Sequence, residues 1–186
     1  QNPHTKGGRR AHGPKVEKNW GRKLNLKERR LARDSALSAT TSVETVSARG
    51  HRFSEDIASL PIVLGNYAEV RDGKTEEFSI ESFNHGSATR KVLAIFNEIG
   101  LGADLMRARD GRNIRAGKAT MRGRVHKTPK SVLLVVKEKS GLAQAARNLP
   151  GVDVVAARDL CAEDLAPGGD VGRLTVFTKD AVEALN

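Results

Sequence analysis

The chain has 186 residues, enough for one domain with an appendage, and carries 32 lysines and arginines against 22 aspartates and glutamates, a formal charge of +10. It contains no apolar run of about 18 residues that could span a membrane, and the polar, basic stretch from Gln1 to Arg10 lacks the apolar core of a secretory signal. A single cysteine, Cys161, excludes an intramolecular disulfide and the zinc sites that need several cysteines. We therefore expect an intracellular protein with no membrane partner.

The positive charge is concentrated in two short segments. Residues 1–30 hold ten basic and two acidic side chains and residues 107–130 hold nine and one, so each segment has a net charge of +8 and the rest of the chain −6. Uncompensated like charges repel each other, so a polyanion is the natural partner of both segments. Neither has the apolar helical spacing that binds a membrane surface. Nucleic acid is therefore favoured over an anionic membrane and over a merely solvated surface.

Residues 1–24 are predicted to form an extended basic RNA-binding segment. Prolines and glycines interrupt it, and its apolar content is nearly confined to Val16 and Trp20, so it should stay extended until a partner orders it. Trp20, which lies between Lys18 and Arg22, has two interpretations. It either stacks on a base, as aromatic side chains do in RNA recognition, or anchors the segment to the globular body.

The globular domain is predicted to cover residues 25–186 and to begin with a helix. Asn25 occupies the N-cap position, and Glu28 three residues later completes a capping-box pattern. This helix should end in the region Thr40–Ser42. One or two further helical turns should follow it and end at Gly50.

Strands and helices then alternate along the chain. Short unbroken apolar runs predict strands, and helical spacing predicts the helices between them. The predicted strands are 61–64, 132–136, 152–155 and 174–177, and the predicted helices are 88–99 with Ser87 as its cap, 142–149 and 181–185. Such alternation is typical of parallel strands covered on both faces. The predicted fold class is therefore α/β, a three-layer sandwich with a mostly parallel central sheet and an extended basic N-terminal segment.

The second basic segment, residues 107–130, lies between a predicted helix and the strongest predicted strand. Gly111, Gly117 and Gly123 are spaced through it. Connections longer than about 12–15 residues are usually functional. We therefore expect this segment to be a surface loop or excursion from the body.

The sequence contains no recognisable catalytic, metal or cofactor motif. Gly117-Lys118 has the tail of a phosphate-binding P-loop, but Arg112 replaces the first glycine of that motif and Ala119 replaces its hydroxyl residue. The histidines show no pairing at i, i+4, and no G-x-S-x-G motif provides a nucleophile. We therefore predict that the protein is not an enzyme and has no metal, cofactor or small-molecule substrate.

Motifs along nearly the whole chain resemble one family. The first half contains Gly7-Gly-Arg-Arg-Ala-His-Gly-Pro14, Arg22-Lys-Leu-Asn25, Lys27-Glu-Arg-Arg-Leu-Ala32 and Ser35-Ala-Leu-Ser-Ala-Thr40. The second half contains Arg122-Gly-Arg-Val-His-Lys127, Ala146-Arg-Asn-Leu-Pro-Gly-Val152, Asp164-Leu-Ala-Pro-Gly-Gly169 and Gly172-Arg-Leu-Thr-Val-Phe-Thr178. Together and in this order, they resemble the archaeal and eukaryotic form of large-subunit ribosomal protein L four.

The resemblance implies an α/β body on the outer surface of the large ribosomal subunit, in the cytoplasm, bound to large-subunit ribosomal RNA (rRNA) and beside other large-subunit proteins. It also implies a long loop that threads into the RNA and reaches the wall of the peptide exit tunnel. In the family, that loop and the first strand precede the first helix found here. We therefore expect residues 1–23 to be the returning end of the loop, with the first strand and the loop tip missing from this sequence. Thr128 and Lys130 depart from the family, which has more arginine there.

Basic side chains of the two segments, with a few neighbours, are the predicted RNA contacts, because phosphate contacts position a protein on folded RNA. The predicted contacts are Lys6, Arg9, Arg10, His12, Lys15, Lys18, Trp20, Arg22, Lys23, Arg29, Arg30, Arg112, Arg115, Lys118, Arg122, Arg124, His126, Lys127, Lys130 and Arg173. The predicted function is to bind and stabilise rRNA during assembly of the large subunit. The alternative is a free regulatory protein that binds one transcript or DNA site, although no recognition helix for duplex DNA stands out.

Overall fold

The structure is a computed structural model that describes residues 6–8, 11–54, 57, 59–71, 74–78, 80–82 and 88–185. In chain order the helices are α1 (Leu26–Ala39), α2 (Val43–Ala48), α3 (Ala88–Glu98), α4 (Gly102–Asp110), α5 (Lys118–Met121), α6 (Gly141–Ala146), α7 (Ala162–Leu165) and α8 (Lys179–Leu185). The strands are β1 (Ile62–Leu64), β2 (Tyr67–Arg71), β3 (Lys74–Phe78), β4 (Asn113–Ile114), β5 (His126–Lys127), β6 (Leu133–Val136), β7 (Asp153–Ala156) and β8 (Thr175–Thr178). None of the described helices is long and apolar enough to cross a membrane.

The central sheet has four strands in the spatial order β1-β8-β6-β7, and every neighbouring pair is parallel. In the middle of the sheet, Leu134 of β6 lies opposite Val176 of β8 on one side and Val154 of β7 on the other. All four strands were predicted from their apolar runs. The prediction of a mostly parallel central sheet is confirmed.

Strand β6 shows why the fold has three layers. All four of its side chains are 0% exposed, and alternate positions point to opposite faces of the sheet. Leu134 and Val136 contribute to a core with residues of α3, α4 and α6, whereas Leu133 and Val135 contribute to a second core with residues of α1, α7 and α8. Burying each such side chain contributes about 1.5–3 kcal/mol, so both helical layers are held by substantial apolar contact.

The predicted capping box of α1 does not form. Asn25 has the extended backbone of an N-cap, but its side chain accepts no hydrogen bond from the helix. Residues 21–32 are all exposed, so water can satisfy the free N–H groups of the first turn and a side-chain cap adds little. Helix α2 does have a capping hydrogen bond, from Thr45 N to Ser42 Oγ. The predicted cap at Ser87 lies outside the described residues.

Several elements were not predicted from the sequence. In α4 and its N-cap, the buried residues Leu101, Leu105 and Ala108 follow helical spacing, but flanking glycines and arginines obscured the pattern. Strands β2 and β3 form an antiparallel hairpin, and the Asp72-Gly73 pair between them in the sequence is a typical hairpin signal. Helix α7 is only four residues long, too short for periodicity to be recognised.

Removing residues 1–23 should leave a folded body. All described residues between 6 and 23 are exposed, and their hydrogen bonds are local to the segment. We expect the truncated protein to unfold cooperatively with a midpoint within about 3 °C of that of the full chain, as measured by circular dichroism. Loss of cooperative unfolding would instead make this segment part of the core.

Candidate nucleic-acid interface

Within the second basic segment, residues 111–130 form a hairpin with defined secondary structure, called here the basic hairpin. Its strands β4 and β5 pair antiparallel, with Asn113 opposite Lys127 and Ile114 opposite His126, and α5 lies between them. The Arg115 amide donates to the Val125 carbonyl at 2.8 Å. The second basic segment is therefore ordered at the surface, and its first residues belong to α4.

The cations of the basic hairpin are available to a partner. Seven of the predicted contacts are exposed there, namely Arg112, Arg115, Lys118, Arg122, Arg124, His126 and Lys127. No carboxylate among the described residues forms a salt bridge with any of them. Arg115 uses one nitrogen, donating from Nε to the His126 carbonyl at 3.2 Å, which orients the rest of its guanidinium. Such a group of unpaired cations suits a polyanion.

Apolar side chains lie among these cations and were not predicted as contacts. Ile114 is 72% exposed and Met121 is 83% exposed, and Val125 is also exposed. Exposed apolar side chains within a cationic surface can contact unstacked bases and sugars, whereas the cations contact phosphates. The sequence feature that could have identified them is their position in a basic segment with almost no other apolar residues.

Lys130 differs from the other predicted contacts of the hairpin. Its Nζ lies 2.7 Å from Asp153 Oδ2, and its backbone carbonyl accepts a hydrogen bond of 2.8 Å from Arg107. Its charge is therefore already paired within the fold. This makes Lys130 a weaker candidate for a phosphate contact than its unpaired neighbours.

The position of Arg173 argues against the predicted RNA contact of this residue. The residue is only 1% exposed. Its guanidinium donates to the carbonyls of Ser131 at 3.1 Å and Asp164 at 2.8 Å, and to Asp153 Oδ2 at 2.6 Å. Burial raises the pKa of Asp153, but hydrogen bonds from Lys130 and Arg173 outweigh it and the pKa lies below its usual value. Arg173 thus stabilises the body from inside.

In the first basic segment, residues 1–30, the described predicted contacts are all exposed, whereas Arg9 and Arg10 lie outside the described residues. The exposed ones are Lys6, His12, Lys15, Lys18, Trp20, Arg22, Lys23, Arg29 and Arg30. Trp20 is 67% exposed, and Lys18 Nζ lies 4.9 Å from the centre of its ring. The anchor interpretation of Trp20 is therefore wrong for this structure, and base stacking stays a prediction.

Across the described part of the chain, no group of three or more histidine, cysteine, aspartate or glutamate side chains is arranged to hold a metal ion. The acidic side chains nearest the basic hairpin are instead paired with cations, as in the Arg109–Asp110 pair at 3.0 Å. The arrangement is therefore one of exposed cations on an ordered excursion from the body.

Comparison with known proteins shows the family. The model of the ribosomal protein L4/L1 family matches residues 1–186. Proteins called large ribosomal subunit protein uL4 are similar to the chain: that of Halobacterium salinarum is 44% identical over 97% of this chain and 66% of its own length, and that of Methanocaldococcus jannaschii is 45% identical over 98% and 66%. That of Methanococcus maripaludis strain C6 is 46% identical over 99% and 67%. The chain spans about two thirds of the length of these relatives. It belongs to the ribosomal protein L4/L1 family, and it is of the archaeal type that its motifs indicated.

Proposed function

We propose that this protein is a structural constituent of the large ribosomal subunit and that it binds and stabilises large-subunit rRNA. The observation that carries the proposal is the set of exposed cations on the basic hairpin that have no carboxylate partner among the described residues. Its family membership and the names of its relatives, which are large ribosomal subunit proteins, support the same function. We further propose that the protein lies in the cytoplasm within the ribosome, beside other large-subunit proteins, and carries out no chemistry of its own.

The hairpin and the N-terminal segment would contribute differently to binding. Arg115 and its neighbours extend from an element with internal hydrogen bonds, so they would meet phosphates in a defined arrangement. In the N-terminal segment, Trp20 and Lys18 would contact single-stranded or unstacked nucleotides as that segment is ordered by the RNA. The α/β body would serve as the scaffold for the hairpin and the N-terminal segment, because its apolar side chains pack in the two cores of the sandwich.

Binding to large-subunit rRNA should depend strongly on salt. If roughly ten of the nineteen basic side chains in the two segments contact phosphates, the logarithm of the binding constant should fall with the logarithm of salt concentration at a slope of about −7 to −9. The cause is release of condensed counterions from the RNA. Filter binding or fluorescence anisotropy across a salt series measures this slope. A slope shallower than about −2 would contradict the proposal.

A further inference from the structure

The chain leaves the basic hairpin beside a buried carboxylate. Asp104 in α4 is 0% exposed and accepts hydrogen bonds from Ser131 Oγ at 2.6 Å, Arg107 Nε at 2.9 Å and the Arg52 amide at 3.0 Å. Nδ1 of His51 lies 3.1 Å from the same carboxylate. Burial raises the pKa of Asp104, but hydrogen bonds from His51, Arg107 and Ser131 lower it to well below the usual range. The carboxylate is therefore ionised at neutral pH, and both of its oxygens accept hydrogen bonds from neighbouring groups.

A second cluster of hydrogen bonds also holds the hairpin exit, at residues Lys130 and Ser131. Arg173 donates from Nε to the Ser131 carbonyl and from Nη2 to Asp153, and Asp153 also accepts from Lys130 Nζ. The Ser131 amide donates to the Gly151 carbonyl at 2.9 Å. Ser131 therefore has its amide, its carbonyl and its hydroxyl all bonded to different parts of the body.

The entry to the hairpin is tied to its exit by α4. Arg107, which Asp104 holds, donates from Nη2 to the Lys130 carbonyl at 2.8 Å. At Gly111, a Cβ atom would lie only 2.7 Å from Pro129 Cγ, so the two arms of the chain pass each other in close contact here. The entry and the exit of the hairpin are thus linked, through Arg107 and Ser131, to the buried carboxylate of Asp104. Strand β6 begins shortly after the exit.

From this geometry we propose that Asp104 is a positioning residue for RNA binding. It holds Arg107 and Ser131 and so fixes the orientation in which the basic hairpin presents its cations. The inference rests on the proposed function and assigns a role in it to a buried group that contacts no RNA. A hairpin fixed in advance loses less conformational freedom on binding than a loose one. Without Asp104, attraction to any polyanion should persist, whereas preference for the correctly folded rRNA should weaken.

The test compares Asp104→Asn with the matched control Asp110→Asn. Both remove one negative charge from α4, but Asp110 is exposed and, among the described residues, its ion-pair partner is Arg109 alone. Affinity of each protein is measured for deproteinised archaeal large-subunit rRNA and for random-sequence RNA of equal length. Hairpin orientation is measured in separate samples by pulsed electron paramagnetic resonance between spin labels on the exposed Cys161 and on Met121→Cys. All measurements are made below the unfolding midpoint of each variant.

We expect Asp104→Asn to broaden the distance distribution and to weaken rRNA binding about tenfold, with random-sequence RNA bound as before. Asp110→Asn should match the wild type in orientation and bind both RNAs at least as well. An unchanged distance distribution, or a broadened one with unchanged rRNA affinity, would overturn the proposal. If the wild type itself does not prefer rRNA over random RNA, the proposed function fails instead, whatever Asp104→Asn does.

A milder variant keeps the test open if Asp104→Asn does not fold. Ser131→Ala removes one hydroxyl from the cluster and leaves the carboxylate with Arg107. We expect it to broaden the distance distribution and to weaken rRNA binding about threefold. A folded Ser131→Ala protein with wild-type orientation and wild-type affinity would then overturn the proposal.

Discussion

A variant with alanine at all four arginines of the basic hairpin should bind large-subunit rRNA about 100- to 1,000-fold more weakly at fixed salt. These arginines are Arg112, Arg115, Arg122 and Arg124. They are exposed and form no salt bridge with the described carboxylates, so their removal should take away the proposed phosphate contacts and, apart from the Arg115–His126 hydrogen bond, little else. The unfolding midpoint of the free protein should therefore stay within about 3 °C of the wild type. Fluorescence anisotropy and thermal unfolding measure the two effects.

A matched control changes four exposed arginines outside both basic segments. Alanine at Arg52, Arg90, Arg147 and Arg158 lowers the net charge by the same amount. It should weaken rRNA binding much less, because these side chains lie on the body rather than on the hairpin. Equal losses in the two variants would mean that overall charge, rather than the hairpin, determines binding. A large drop in stability of the hairpin variant would make its arginines structural.

Changing Arg173 to methionine should destabilise the protein by about 3–5 kcal/mol, the typical effect of breaking a buried charged network. The change leaves Asp153 without one of its cations and leaves the carbonyls of Ser131 and Asp164 without a donor. Urea unfolding followed by circular dichroism gives the free energy of unfolding. Arg158→Met is the control, because Arg158 is exposed and its nearest carboxylate contact is 3.8 Å. A loss below about 1 kcal/mol at Arg173 would show that the network is not needed.

The sequence predicted the central sheet well because its strands are unbroken apolar runs. The five residues Val132–Val136 are all buried, and a central parallel strand explains such an unbroken apolar run best. The alternation with helices then predicted the three layers. Local apolar pattern and global architecture agree here, as expected of a sequence that specifies one fold.

The sequence could not predict which charged residues are used inside the fold. Arg173 lies in a family-like motif and resembles an RNA-contacting arginine by type alone, yet it is buried. Asp104 stands in the sequence Gly102-Ala-Asp-Leu-Met-Arg107 and looks like an ordinary exposed carboxylate on a helix. Its role depends on His51 and Ser131, which are distant in the chain. Contacts between distant residues leave no local signal, so these clusters became visible only in three dimensions.

The sequence predicted which segment carries the candidate site but not the secondary structure of that segment. The charge of residues 107–130 identified the segment that carries the candidate site, but an Arg-rich stretch with spaced glycines shows no periodicity. The hairpin depends on a two-residue ladder between β4 and β5 and on the fixed residues at its root. Exposed apolar residues such as Met121 were missed because apolar side chains were expected in the core.

The most direct test of the central claim is where the protein is found in cells. The tagged chain, expressed in an archaeal host, is followed through a sucrose gradient run in high salt, which removes proteins held only by loose electrostatic contact. A structural constituent should sediment with the large subunit and stay there after the salt wash. A protein that leaves the particle and is recovered with one transcript or DNA site would instead be a free regulatory nucleic-acid-binding protein, contradicting the structural role.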